Sequence, residues 1–306
     1  MTYNSQLHNV VIDTDIGDDI DDALALAVAL HSPELTLRGV TTVFGETRRR
    51  AELARFLLHV FGRDDVPVAI GASKPLLPRR PNARPSGIFQ ASILDNQRNG
   101  TSPLLSLDTR SGAELIVDLA RTNHGELTII CIGPLTNIAL ALLIDPTISM
   151  AIRNIVMMGG TSSIPLADWN VRNDVRAAEI VLESGIPITL VGLDITLRCQ
   201  LRRQHMKRLR TYDTPQTQLL SSLLEIWRQH RPRWHPPRPY LHDPLTVAAL
   251  CQPSLFRFRE LPVRVMTRGP FQGVTTPRLL GGTRVNAVVD VRVNEAREWI
   301  IQRMIG

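Results

Sequence analysis

The stretch of residues 13–22 carries an unusual density of acidic side chains. Six of its ten residues are aspartates, and none is basic: Asp13, Asp15, Asp18, Asp19, Asp21 and Asp22. Helix capping explains one or two of them, but not six. Because crowded carboxylates repel one another unless a cation offsets their charge, the run predicts a metal site. Hard oxygen ligands of this kind suit Ca²⁺ or Mg²⁺ better than Zn²⁺.

Two other acidic motifs fit this run poorly. An EF-hand loop needs Gly at its sixth position and Glu at its twelfth, whereas counting from Asp13 places Gly17 fifth and Leu24 twelfth. A phosphotransferase of the haloacid dehalogenase kind also opens with a strand and D-x-D, and its first aspartate accepts the phosphoryl group. The additional aspartates here would repel a phosphate, which argues against that reaction.

The elements around this run predict how it is positioned. Strand-like apolar segments are Val10–Ile12, Leu37–Val43, Val66–Ile70, Leu127–Ile132, Asn154–Met158 and Pro187–Val191. Helical segments are Ala23–His31, Thr47–Phe61, Ser111–Thr122, Leu135–Ile144 and Val175–Glu183. This alternation predicts a single α/β domain over residues 1–306, with a mostly parallel, Rossmann-like sheet covered by helices on both faces. Ligands of such sheets bind at the carboxyl ends of the strands.

Two long segments are predicted as loops. Leu76–Pro103 is rich in Pro, Asn, Ser and Gly, and Arg228–Pro239 contains four prolines. We expect the second loop near the mouth of the site. The basic stretch Arg202–Arg210 is predicted to be the exposed face of a helix.

Composition narrows the class of protein. The net charge is +6, but the arginines are dispersed and aromatic residues are only 5%, so a nucleic-acid partner is not expected. Three widely separated cysteines indicate neither a disulfide framework nor a thiolate metal site. No apolar run approaches about 18 residues, and the N-terminus lacks a signal-peptide pattern. We therefore expect a cytoplasmic protein without a membrane span.

Five blocks of sequence resemble those of the nucleoside hydrolases called inosine-uridine preferring. They occur in the order of that family, across about residues 10–250: DTDIGDDIDDALAL (13–26), VTTVFGET (40–47), CIGPLTNIALAL (131–142), IVMMGG with ADWN (155–160, 167–170) and HDPLTVAAL (242–250). Each block follows a predicted strand or sits where the sheet would place ligand residues. The resemblance implies calcium-dependent hydrolysis of the N-glycosidic bond of ribonucleosides, in nucleoside salvage and catabolism.

The resemblance also implies a set of metal ligands. Ca²⁺ would be held by Asp15, the second aspartate of a DD pair, the backbone carbonyl of Ile132 and Asp243. The first block is two residues longer than the usual motif, so the pair has two alignments. Counting without a gap selects Asp18-Asp19, whereas alignment on the following helix selects Asp21-Asp22. We prefer the second alignment, because the helix fixes which side chains face the site; Asp22 then binds the metal.

Catalytic and binding roles follow from the same resemblance. Asp15 would act as general base towards a metal-bound water, and carboxylates would stabilise an oxocarbenium-like transition state. His242 would protonate or hydrogen-bond the departing base. The substrate-binding residues would be Asp21, Glu46, Met158, Asp168 and Asn170. Trp169 would pack beside the ribose or in the core, and Asn137 would tie a loop rather than touch substrate.

Several positions depart from the family pattern. Glu46 replaces an Asn, Asp168 replaces a Glu, and the short loop 160–168 leaves Ser162 or Ser163 as the nearest substitute for an Asn that contacts the ribose 5′-hydroxyl. These changes leave the preferred base open. They also leave open a modified ribosyl substrate or a non-catalytic, calcium-bound nucleoside or sugar sensor. By analogy with the family, we expect a homo-oligomer, either a dimer or a tetramer.

Overall fold

The computed structural model describes residues 7–77, 87–97, 106–231, 236–277 and 282–306. These residues form a ten-stranded sheet. Its strands are β1 (His8–Thr14), β2 (Leu35–Thr42), β3 (Val68–Ile70), β4 (Asp108–Ser111), β5 (Leu127–Cys131), β6 (Ile152–Met158), β7 (Ile188–Val191), β8 (Phe256–Val265), β9 (Thr275–Pro277) and β10 (Thr283–Val291). Their spatial order is β4-β3-β2-β1-β5-β6-β7-β10-β8-β9. The sheet is parallel from β4 to β10, and β8 and β9 add antiparallel pairings at one edge.

Helices cover both faces of this sheet. They are α1 (Asp21–Leu30), α2 (Thr47–Val60), α3 (Ile93–Gln97), α4 (Gly112–Thr122), α5 (Thr136–Ile144), α6 (Trp169–Asn173), α7 (Val175–Leu182), α8 (Leu193–Thr196), α9 (Arg203–Thr211), α10 (Pro215–His230), α11 (His242–Cys251) and α12 (Val293–Ile305). One apolar layer contains α1, α2, α10, α11 and α12, and the other contains α4, α5 and α7. The predicted α/β domain with a mostly parallel sheet is thereby confirmed.

The central strand β1 shows why the site forms where it does. Val10 and Ile12 are buried in one apolar layer, and Val11 is buried in the other, as the alternation of side chains along a strand requires. A strand buried on both faces leaves only its carboxyl end available to polar chemistry. Asp13 and Asp15 lie at that end, next to the ends of β2 and β5.

The two predicted loops need correction. Residues 87–97 of the segment Leu76–Pro103 contain a 3-10 turn followed by α3, while residues 78–86 and 98–105 lie outside the described part of the chain. The segment Arg228–Pro239 begins inside a helix, since α10 continues to His230. The helix ends just before the first proline of the segment, at position 232, because a proline disfavours helical geometry in the residue before it. Residues 232–235 are not described.

Other expectations hold in the described chain. Residues 203–211 form a helix, α9, most of whose basic side chains are exposed. All three cysteines are buried and unpaired. None of the described helices is long and apolar enough to span a membrane.

Candidate active site

The loop that follows β1 delivers the aspartates to one end of the sheet. The strand ends at Thr14, and α1 begins at Asp21, so Asp21 and Asp22 occupy the first turn, where the helix dipole favours negative charge. The Thr14 hydroxyl accepts from the amide of Ile16 at 3.0 Å and donates to Oδ1 of Asp22 at 2.5 Å. This hydroxyl therefore fixes both the loop and one carboxylate.

A second helix completes the acidic cluster. Asp243 lies in the first turn of α11, which packs against α1. One carboxylate oxygen each from Asp21, Asp22 and Asp243 lie within 4.8 Å of one another, and all three residues are buried. Within the described ranges, no other group of three or more His, Cys, Asp or Glu side chains is this close. Two helix N-termini thus point three carboxylates at one small volume.

The electrostatics of this cluster favour a bound cation. Burial, followed by repulsion from neighbouring aspartates, raises the pKa values of Asp21, Asp22 and Asp243 well above their ordinary range. Burial raises the pKa of Asp15 to about 7, and the nearby Arg50 guanidinium opposes that rise. The donors are all oxygens, so the set fits a hard divalent ion such as Ca²⁺. Such an ion would offset the repulsion that otherwise favours protonation.

The other aspartate pair of the loop makes different contacts. Oδ2 of Asp18 accepts from Nη2 of the buried Arg50 at 2.9 Å, and Oδ1 of Asp19 accepts from the amide of Ile20 at 2.7 Å. Both residues line the cavity described next, but neither belongs to the three-carboxylate cluster. Asp21 and Asp22, the pair selected by the helix-based alignment, are therefore the two that lie beside Asp243.

A cavity of about 570 Å³ opens over the acidic cluster. The predicted site residues that line it are Asp15, Asp21, Asp22, Ile132, Met158, Asp168, Asn170, His242 and Asp243. They come from the ends of β1, β5 and β6 and from the first turns of α1, α6 and α11. The arrangement is the one expected at the carboxyl edge of a parallel sheet.

One wall of the cavity is formed by the loop that leads into α6. Nδ2 of Asn170 donates to the backbone carbonyls of Ile132 at 3.0 Å and of Met158 at 3.2 Å. The Ile132 oxygen has a second lone pair, so this bond does not prevent it from binding a metal. Asp168 caps α6 through the amide of Val171, and burial raises its pKa to about 6 despite its backbone hydrogen bonds.

Two predicted contacts with the sugar, Glu46 and the serine pair Ser162 and Ser163, are not among the described residues that line the cavity. Glu46 is exposed at the start of α2 and is not among the described residues of the lining. Another carboxylate facing Asp15 would add repulsion, whereas water solvates the exposed Glu46. The amides of Ser162 and Ser163 donate to the Asp194 carboxylate, at 3.2 and 2.9 Å, so these serines shape the loop rather than the cavity.

His242 is oriented from behind by a buried threonine. Its Nδ1 lies 2.6 Å from the hydroxyl of Thr196, whose side chain is inaccessible to solvent. The ring is also tilted against Tyr240, with centroids 5.1 Å apart. Trp169 lines the cavity but remains half-exposed, and its ring meets Phe44 edge-on. It is therefore a wall residue rather than part of the core.

The cavity has a further wall whose individual residues sequence reasoning did not name, although it expected the segment Arg228–Pro239 near the mouth of the site. Trp227 and His230 reach it from the last turns of α10, Arg231 follows them, and Phe89 stacks on His230 with ring centroids 4.6 Å apart. The stacked rings are nearly parallel, at 14°. Planar rings in the lining of the cavity suit a flat heterocycle. The sequence signal for His230 and Arg231 was the expected position of their segment near the site; Trp227 and Phe89 had none.

Comparisons with known proteins agree with this site. The family model of inosine-uridine preferring nucleoside hydrolases matches residues 10–299. The chain is 35% identical to a probable uridine nucleosidase 2 of Arabidopsis thaliana, covering 95% of this chain and 89% of that protein. It is also 35% identical to the pyrimidine-specific ribonucleoside hydrolase RihA of Citrobacter koseri, covering 93% of each.

Solved structures give the same result. A plant nucleoside hydrolase, PpNRh1, superposes with a TM-score of 0.84 at 27% identity, covering 98% of this chain and 99% of that one. A purine-preferring ribonucleoside hydrolase from Gardnerella vaginalis superposes with a TM-score of 0.84 at 27% identity, covering 97% and 98%. The chain therefore belongs to the family of inosine-uridine preferring nucleoside hydrolases and is an N-glycosyl hydrolase.

Proposed function

We propose that this enzyme is a calcium-dependent hydrolase that cleaves ribonucleosides into ribose and free base, with uridine as its first candidate substrate. The observation that carries the proposal is the convergence of Asp21, Asp22 and Asp243 beneath a cavity that Asp15 also lines. Four buried carboxylates at one point are costly without a cation. They are also well suited to hold the hydroxyls of a sugar.

The ligands we assign to Ca²⁺ are Asp15, Asp22, Asp243 and the carbonyl oxygen of Ile132. All are oxygen donors that line the cavity, and Ca²⁺ commonly takes six to eight such ligands, roughly. When bound, the ion would supply positive charge and lower the pKa of a coordinated water. The ligand number leaves positions for that water and for ribose hydroxyls.

The ribose would be held on the same side as the carboxylates. Asp21 accepts a hydrogen bond from one hydroxyl, and Asp168 and Asn170 contact the sugar from the α6 wall. Met158 lines the cavity beside them and is itself 5% exposed, so it offers an apolar surface to the ring. Because these side chains are buried, the bound sugar would be shielded from bulk water.

Asp15 and His242 would divide the proton transfers. Asp15 would accept a proton from the attacking water, because its carboxylate lines the cavity at the end of β1 and an ionised carboxylate can act as a general base. The surrounding carboxylates stabilise positive charge that develops on the ribose. His242 donates a hydrogen bond or a proton to the departing base.

The choice of uridine rests on the relatives. Two of them are named a uridine nucleosidase and a pyrimidine-specific ribonucleoside hydrolase, whereas one structural neighbour is named purine-preferring. The part of the cavity formed by Trp227, His230 and Phe89 is where the base would lie. We therefore expect pyrimidine ribonucleosides to be cleaved faster than purine ribonucleosides.

A panel assay tests this proposal. Purified protein is incubated with uridine, cytidine, inosine and adenosine, each with added Ca²⁺, and released ribose is measured as reducing sugar. We expect release from uridine that is lost in Asp15→Asn. The matched control is Asp65→Asn, at an exposed carboxylate paired with Arg63. Ribose release that survives in Asp15→Asn, or no release from any nucleoside with one Ca²⁺ bound per chain, would contradict the proposal.

A further inference from the structure

Thr196 is placed to control the chemistry of His242. The short helix α8 follows β7 and brings this residue against the first turn of α11. Thr196 is fully buried, and its hydroxyl oxygen lies 2.6 Å from Nδ1 of His242. The only other acceptor that the structure gives this hydroxyl is the carbonyl of Leu193, at 3.4 Å. The contact with the imidazole is therefore the dominant one.

A hydroxyl differs from the usual partners of a functional histidine. Carboxylates and carbonyls can only accept, whereas a threonine hydroxyl can donate one hydrogen and also accept. Towards a neutral His242, the short distance favours donation from Thr196 to Nδ1, which places the ring hydrogen on Nε2. Towards a protonated ring, the same oxygen accepts from Nδ1–H, and its own hydrogen turns to Leu193. In both states, Nε2 carries a hydrogen.

We propose that Thr196 is a positioning residue for departure of the base, which it assists by keeping a hydrogen on Nε2 of His242. This inference rests on the proposed function. His242 lines the cavity, so with Nδ1 held from behind, Nε2 is the nitrogen that acts on the substrate. Without the hydroxyl, the neutral ring can also adopt the tautomer with its hydrogen on Nδ1. Its Nε2 is then a hydrogen-bond acceptor, and its lone pair repels the lone pair that forms on the base.

Departure of the base is coupled to the addition of one water molecule. The C1′–N bond breaks with its electron pair on the base, which accepts a hydrogen bond from Nε2–H of the neutral His242. Water adds its oxygen to C1′ and gives one proton to Asp15. That proton passes to the base through solvent, so the sum is nucleoside plus water giving ribose plus base.

Substrates that differ in leaving group separate this role from a merely structural one. Uracil needs help to depart, whereas 4-nitrophenolate departs unaided, so 4-nitrophenyl β-D-ribofuranoside reports sugar binding and water attack alone. We expect Thr196→Val to lower kcat for uridine about fivefold, because the ring loses both the hydrogen bond that orients it and its single tautomer, and so part of the roughly 100-fold that a positioned proton donor contributes. Its kcat for the nitrophenyl riboside should stay within about twofold, and KM for both substrates should change little.

Two variants serve as controls. Thr196→Ser retains the hydroxyl and should restore uridine hydrolysis to near the original rate. Thr128→Val removes another buried hydroxyl, one on β5 that has no hydrogen-bond partner, and should leave both activities unchanged. Circular dichroism would show whether each variant is folded.

A spectroscopic readout tests the same idea without substrate. The ¹⁵N chemical shifts of the His242 ring nitrogens, assigned by comparison with His242→Asn, distinguish the two neutral tautomers. We expect the Nε2–H form in the original chain and a mixture in Thr196→Val. The role of Thr196 would be overturned by any of three results in Thr196→Val: an unchanged tautomer, an equal fall in kcat for both substrates, or no fall in kcat for uridine. An original chain that hydrolyses neither substrate would instead overturn the proposed function, and this inference with it.

Discussion

Arg50 forms an ion pair with Asp18, with 2.9 Å between Nη2 and Oδ2. The guanidinium is completely buried, and it also donates to the backbone carbonyls of Asp15, Ile16 and Phe44. It therefore holds the loop after β1 in shape while neutralising one of its carboxylates. Asp18 thus has a structural partner, whereas the pair in the first turn of α1 lies close to Asp243.

The first prediction separates the two aspartate pairs. Mutation of a residue that only hydrogen-bonds to a metal ligand typically lowers metal affinity roughly 10- to 100-fold. Asp22→Asn changes a proposed ligand itself, so it should weaken calcium binding at least that much. Asp19→Asn, at the metal-binding position of the ungapped alignment, should weaken it less than about fivefold, because Asp19 lies outside the three-carboxylate cluster and a more distant charge contributes up to about 1 kcal/mol. Calorimetric titration of the metal-free protein measures both. Equal losses in the two variants would favour the ungapped alignment.

The second prediction concerns the stability of the loop. Arg50→Lys should lower the free energy of unfolding by about 3–5 kcal/mol, because one ammonium cannot satisfy three buried carbonyls and a carboxylate. Urea denaturation of the metal-free protein measures this change. The matched control is Arg48→Lys, at an exposed position of the same helix, which should change stability by less than about 0.5 kcal/mol. A loss under about 1 kcal/mol in Arg50→Lys would show that the guanidinium is dispensable.

The acidic site could be located from the sequence because the strand that positions its aspartates comes directly before them in the chain. An apolar strand followed at once by aspartates predicts where their carboxylates emerge, and the parallel sheet predicts that such ends converge. The aspartate run of residues 13–22 was reachable in this way, whereas the choice of Asp15, Asp22 and Asp243 as ligands came from the resemblance. The start of the following helix favoured Asp21-Asp22 over Asp18-Asp19 as the pair at the metal, although the sequence allowed both alignments.

Contacts between distant segments could not be predicted. Arg50 reaches the loop residue Asp18 from α2, and Thr196 reaches His242 across 46 positions of sequence. Neither pair has a periodic or compositional signal, since each depends on how a helix packs against a distant segment. Glu46 was expected at the ribose because of its position in a motif, but the direction of a side chain at a helix start is decided by solvation. The ring pair Phe89 and His230 was hidden in segments expected to be loops.

The third prediction links calcium to pH. Burial raises the pKa values of Asp13 and Asp15 to about 7 and that of Asp168 to about 6. Calcium needs ionised ligands, so its binding releases protons and strengthens as pH rises. The increase in Tm on adding a fixed excess of Ca²⁺ to dialysed, metal-free protein should therefore be larger at pH 8 than at pH 5.5.

Proton linkage explains why calcium should stabilise the protein more at higher pH. A buried carboxyl with a raised pKa keeps its proton in the folded state at pH values where the unfolded chain has already lost it. The metal-free protein consequently loses the stability contributed by these groups as pH rises from about 4 to about 7. Calcium offsets that loss, most strongly at the upper end. A calcium-induced shift in Tm that stays constant or shrinks with pH would contradict the prediction, and Asp22→Asn, which weakens calcium binding, should make the shift smaller at both pH values.

The fourth prediction tests whether Asn137 ties the sheet edge rather than touching substrate. Its Nδ2 donates to Oδ1 of Asp13 at 2.7 Å and to the carbonyl of Thr42 at 3.0 Å, and its Oδ1 accepts from the amide of Ala72 at 2.8 Å. The residue is fully buried and is not among the described residues that line the cavity. Asn137→Ala should therefore lower the free energy of unfolding by about 2–4 kcal/mol, because it removes three hydrogen bonds, two of them buried.

The measurements for Asn137→Ala are urea denaturation and the KM for uridine, taken at a temperature where the variant is folded. The matched control is Asn154→Ala, whose side chain on β6 bonds only the Thr189 hydroxyl, at 3.2 Å, and whose loss should cost less than about 1 kcal/mol. KM should stay within about twofold in both variants, since neither side chain meets the sugar. A large rise in KM with little loss of stability would instead place Asn137 in contact with the substrate, since loss of a purely structural tie lowers stability first.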